Sequence, residues 1–130
     1  MAIVQVKDAE GSVLDWMVGI AQSIPNLHVV KKQRWNCVYG MVLVEEGNFI
    51  DFPYKPSADW SQGGPIIEKL RGESNYSFLI ENDGDEIYVL AWPTAHVMFK
   101  GRGETLLVAA MRCYVLSKFG DTVEVPDELI

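Results

Sequence analysis

Thr105-Leu-Leu-Val-Ala-Ala-Met-Arg-Cys-Tyr-Val-Leu-Ser-Lys-Phe-Gly120 is the stretch that decides the fold. It holds no internal Gly or Pro, and its spacing predicts a helix over 105–119. Gly120 fits the C-terminal cap, and Lys118 in the last turn complements the helix dipole. Leu106, Leu107, Ala110, Met111 and Tyr114 are apolar, but so are Val108, Ala109, Cys113, Val115 and Leu116. Apolar character on every face predicts a helix buried at the centre of the fold, or one that also meets a partner. The second alternative makes a two-fold homodimer an expectation. Arg112 is the one charge between Glu104 and Lys118. In that setting it needs water or a carboxylate, and Asp59 and Asp15 are the candidate partners.

A second helical pattern lies near the start. Ser12 reads as an N-cap, Val13, Leu14, Met17, Ile20 and Ala21 follow at helical spacing, and Asp15 suits the first turn. The expected helix runs over 12–23 and Pro25 ends it. Between the two helices the pattern is strand-like. The runs 27–30, 38–44, 49–52, 76–80 and 87–92 are apolar or β-branched. Glu45-Glu46-Gly47-Asn48 and Asn82-Asp83-Gly84-Asp85 read as hairpin turns. Residues 54–64 read as a polar loop carrying Trp60, and Pro65 as the first position of a short helix near 65–70. Residues 93–103 fit a strand or a loop. The expected fold class is α+β: one domain over 1–130, with a mainly antiparallel sheet of about four or five strands packed against the helices.

Composition narrows the function. The chain has 130 residues, with 11 Lys and Arg against 18 Asp and Glu, a net charge of −7. That field opposes duplex DNA, whose binding depends on neutralising phosphates. No nucleic-acid partner is therefore expected. The one basic cluster, Lys31, Lys32 and Arg34 followed by Trp35, reads as a solvated turn beside a core tryptophan. No apolar run is long enough for a membrane span, so no membrane partner is expected. Cys37 and Cys113 stand far apart in a chain without a recognisable export signal, and both are expected to be reduced.

No constellation carries recognisable chemistry. The acidic run Glu81, Asp83, Asp85, Glu86 sets its glycine two places early for a calcium loop. His28 and His96 lack ligand-spaced companions, so no metal is expected. No nucleophile elbow or phosphate-binding lysine loop is present, and no cofactor is expected. In Gly63-Gly64-Pro65, Pro65 removes a backbone donor, so a tight packing turn is the better reading than an anion cradle.

Three stretches together resemble one family. They are Gly11-Ser-Val-Leu-Asp-Trp16, Asp59-Trp-Ser-Gln-Gly-Gly-Pro-Ile-Ile-Glu68, and Ala109-Ala-Met-Arg-Cys-Tyr-Val-Leu-Ser-Lys-Phe-Gly120 running on to Val-Glu-Val-Pro126. In this order they are similar to the NinX-like proteins of tailed phages and prophages. Family members tend to carry Ser-Pro-Ser-Thr before the Asp-Trp, where this chain has Lys55-Pro-Ser-Ala58, and residues 72–103 match only loosely. The resemblance implies a phage-derived protein made in the cytoplasm of a bacterial host, and it supplies no activity and no catalytic residues. The expected function is a non-enzymatic accessory module that binds a host or phage protein. The alternative is a small-ligand or enzymatic site built from Asp59, Trp60, Gly63, Gly64, Pro65 and Arg112, residue types that often line sites. Docking of the Asp59–Pro65 block on the last helix, with Trp60 buried and an acid beside Arg112, is the structural expectation.

Overall fold

A computed structural model describes residues 1–32, 36–45 and 48–130. Among the described residues the chain is an α+β fold of three helices and eight strands in three small antiparallel sheets. In chain order these are β1 Ala2–Gln5, α1 Gly11–Ala21, β2 His28–Lys31, β3 Asn36–Glu45, β4 Asn48–Pro53, α2 Trp60–Glu73, β5 Ser77–Asp83, β6 Glu86–Thr94, β7 Val97–Gly103, α3 Leu106–Phe119 and β8 Thr122–Val125. Short 3-10 turns follow β1 at 6–8 and close the chain at 127–129.

α3 forms as its sequence dictates. The Thr105 side chain accepts a hydrogen bond from Val108 N–H at 3.1 Å, satisfying one of the free donors at the helix start. Gly120 ends the helix at φ +82°, and its N–H bonds back to Leu116. The helix is central: Leu107, Ala109, Ala110, Met111, Cys113, Tyr114 and Val115 are all buried. It packs on α1, α2, β6, β7 and the turn after β1. Most of its apolar surface is thus covered from within the same chain, as expected of a helix at the centre of the fold.

The antiparallel pairing expected of the strands holds throughout, but the strands are divided among three sheets rather than gathered in one of four or five. The order is β2-β3-β4, β5-β6-β7, and a ribbon of β1 with β8. The two larger sheets are meanders of consecutive strands. The helix α2 comes between them in the chain and packs on α3, while β6 and β7 pack on α3 and β3 packs on α1. The ribbon joins the two ends of the chain, with Ala2 opposite Val125 and Gln5 opposite Thr122. The undecided segment 93–103 supplies β7, which pairs with β6 across an irregularity between Ala91 and Thr94. Of the two expected turns, Gly84 and Asp85 join β5 to β6. The turn at 45–48 and the basic cluster lie partly outside the described residues, at Glu46 and Gly47 and at Arg34 and Trp35.

Two helix starts differ from the expectation. α1 begins at Gly11, with Glu10 rather than Ser12 at the cap position and no side-chain cap bond. Asp15 is therefore in the second turn and faces inward, instead of in the first turn near the helix dipole. The expected loop over 54–64 and short helix over 65–70 are corrected to one 14-residue helix, α2. Pro65 is its sixth residue, not its first. A proline there removes one intrahelical hydrogen bond. The start is held by Asp59, whose carboxylate accepts Ser61 N–H at 2.9 Å and Ser61 Oγ–H at 2.7 Å. Gly63 then fits against α3 where no side chain can: a Cβ there would lie 2.4 Å from Pro56 O and 2.6 Å from a Leu107 methyl.

Among the described residues no helix is long and apolar enough to cross a membrane.

Candidate functional site

The Asp59–Pro65 block docks on α3 as expected, but through Gly63 and Leu107 rather than through Trp60. Trp60 is 56% exposed. As the first residue of α2 it projects before the helix reaches its neighbours. The carboxylate of Asp59 is held below its usual range by the two bonds from Ser61, so it is a charged cap. Gln62 carries the loop that precedes the helix: its amide donates to Pro53 O at 2.9 Å and accepts Lys55 N–H at 2.7 Å. A Cβ added at Gly64 would meet only the Trp60 ring, at an ordinary 4.0 Å. The block builds a helix start and its seat.

Arg112 is elsewhere. It stands five residues after Leu107 on α3, a turn of roughly 140° to another side of the helix. Neither expected acid is its partner. Its Nε donates to Ala9 O at 2.9 Å and its Nη1 to Arg102 O at 2.6 Å. Backbone carbonyls satisfy donors without cancelling charge, so the guanidinium remains a full cation. It lines two adjoining clefts, and neither contains a residue of the Asp59–Pro65 block. The site that would join the two is therefore not assembled by the fold.

Asp15, read from the sequence as a helix-start acid, is the buried carboxylate among the described residues. It is only 5% exposed. One oxygen accepts Ser57 N–H at 2.9 Å. Burial pushes its carboxyl up from 3.8 to about 6, against the opposing pull of the Ser57 hydrogen bonds and of Lys55. Tyr54 lies beside it, also buried, and its phenol is raised strongly by burial and by the Asp15 charge. Together with Lys32, Cys37 and Lys55 they line an open cleft of about 460 Å³ between α1, β3 and the segment after β4. The signal for Asp15 in the sequence was its place among Leu14, Trp16 and Met17, one residue from the apolar stripe of α1. The contact to Ser57 joins residues 42 apart in the chain and has no local trace.

The β5-β6-β7 sheet presents two unlike faces. Val89 and Ala91 are buried toward α3, with Phe78 and Phe99 packed beside them. Alternation places Leu90 and Trp92 on the opposite face, with Leu79 across from Leu90 and Met98 on the neighbouring strand. Leu79 is 42% exposed and Met98 45%, while Leu90 and Trp92 are half-buried. Tyr76, just before β5, is exposed as well. Toward the other end the same face carries Tyr88, Lys100 and Arg102. Lys100 Nζ lies 4.1 Å and the Arg102 guanidinium 4.6 Å from the centre of the Tyr88 ring. Arg102 also pairs with Glu86 and reaches Asp83 at 3.6 Å, which ties down two acids of the run that suggested calcium.

Cys113 is an unreactive group. Burial raises its thiol to about 12, and its Sγ points at Phe99 O at 3.5 Å.

A family model described as Bacteriophage P22, NinX matches residues 5–118. No curated protein matches the chain.

Proposed function

The chain belongs to the bacteriophage P22 NinX family, and from that premise we propose that it is a non-enzymatic accessory protein that binds a host or phage protein. Made in the cytoplasm of the infected cell, it would meet either kind of partner there. The observation that carries the reading is the outer face of the β5-β6-β7 sheet. Leu79, Leu90, Trp92 and Met98 gather there beside Tyr76, apolar and aromatic groups of the kind enriched at protein interfaces. The inert Cys113 and the capping role of Asp59 further support a binding rather than a chemical role.

Affinity capture from a host lysate tests the reading when wild type is compared with Leu79→Asp and Met98→Asp. Both positions are exposed, so both variants keep the wild-type circular dichroism spectrum. A partner captured by wild type and lost by both variants is the expected result. A partner held equally well by all three, or no partner at all, overturns it.

A second reading, a small-ligand site, is favoured by one specific observation, the cleft at Arg112.

A further inference from the structure

The geometry points to a binding site for a small organic anion, one carrying phosphate or carboxylate groups, in the cleft that runs over the β7 edge of the sheet to Arg112 on α3. The cleft has a volume of about 510 Å³. Lys7, Lys100, Arg102 and Arg112 line it, against the carboxylates of Asp8 and Glu86 alone. A chain of net charge −7 thus gathers a local excess of positive charge at one place.

The free positive charge lies on three of the four cations, because Arg102 also reaches Asp83 at 3.6 Å. Glu86 is engaged by Arg102. Among the described residues Lys7, Lys100 and Arg112 enter no ion pair. Arg112 spends two donors on the carbonyls of Ala9 and Arg102, which fixes the guanidinium plane. Its remaining N–H groups have no protein acceptor among the described residues and can take oxyanion oxygens in the paired geometry that guanidinium favours. The floor is close-packed. At Gly101 a Cβ would lie 2.0 Å from Ala109 O, so β7 sits directly on α3 and no side chain fills the gap. Tyr88 and Leu116 add apolar wall. Lys7, Lys100 and Arg112, which enter no ion pair among the described residues, repel one another, and an anion in their midst relieves that repulsion.

A small ligand suits the site better than a nucleic acid. A long polyanion runs beyond the cleft into the field of the acidic surface, whereas a compact anion stays among the four cations.

The test is titration of the full chain with pyrophosphate and, separately, with citrate, followed by calorimetry and by amide chemical shifts. Saturable binding of either, with shifts centred on Lys100, Arg102 and Arg112, is expected. Preference for pyrophosphate marks a phosphate-bearing ligand, and preference for citrate a polycarboxylate. Arg112→Gln should weaken binding about ten-fold or more. Because Arg112 also ties Ala9 to β7, the double variant Lys7→Gln with Lys100→Gln provides the independent check, and it should weaken binding similarly. Absence of saturable binding, or binding unchanged in the double variant, overturns the proposal. So does displacement of pyrophosphate by a thymidine oligonucleotide at a much lower phosphate concentration. Loss of partner capture in the sheet-face variants bears on the protein-binding reading and leaves this result untouched.

Discussion

Two residues, Arg112 and Asp15, carry the most unusual environments in the chain, and the sequence exposed only the first. Arg112 stands out because it interrupts an apolar run, so its need for a polar partner was legible. The identity of that partner was not. Carbonyls at Ala9 and Arg102 are properties of the backbone, and no residue type announces them. Asp15 looked ordinary because its burial depends on a distant segment folding over it. Its raised carboxyl has a measurable consequence. Between the usual aspartate value of 3.8 and about 6, the folded chain keeps a proton that the unfolded chain has lost. The stabilisation is fully present below 3.8 and is lost as the pH rises through about 6. Asp15→Asn keeps an acceptor for Ser57 N–H and removes the charge. It is expected to stabilise the protein by about 2 kcal/mol at pH 8 and to flatten the pH dependence of stability between 4 and 7. Urea melts of both proteins across that range check it. Gly101→Ala acts in the opposite direction. It drives a methyl into the α3 backbone and is expected to cost about 2–3 kcal/mol, read from the same melts.

At the scale of elements, legibility followed the source of each signal. α3 was readable to within a residue because its caps and its apolar run agree. Thr105→Ala removes the cap bond to Val108 and is expected to cost about 1 kcal/mol, measured as a lower denaturation midpoint with the slope unchanged. The five apolar runs each became a strand, since alternation and turn residues are local. α2 was misread because Gly-Gly-Pro punctuates a sequence strongly and its helical preference is poor. Its helix is imposed from outside. The seat of Gly63 on Pro56 and Leu107 and the Asp59 cap outweigh the missing Pro65 hydrogen bond. Asp59→Ala should therefore lower the melting temperature and loosen the Lys55–Gln62 loop, visible as faster amide exchange at Lys55. The partition into three sheets had no sequence signal at all. Which hairpins share a sheet depends on how the helices pack between them, and the β1 with β8 pairing joins opposite ends of the chain.

For the whole molecule, the decisive fact is that α3 is covered by its own chain. A helix apolar on every side suggested either a central position or a partner copy, and the packing of α1, α2, β6 and β7 around it meets the first condition. The outer face of the β5-β6-β7 sheet is an apolar surface left for a partner, and a free chain should present that face unoccupied. Light scattering of the purified protein at micromolar concentration, with Leu79→Asp beside it, tests this most directly. A mass near 14.6 kDa is expected for both. A wild-type mass of twice that value, returning to 14.6 kDa in Leu79→Asp, would show that the face belongs to a second copy of the chain rather than to a host or phage protein.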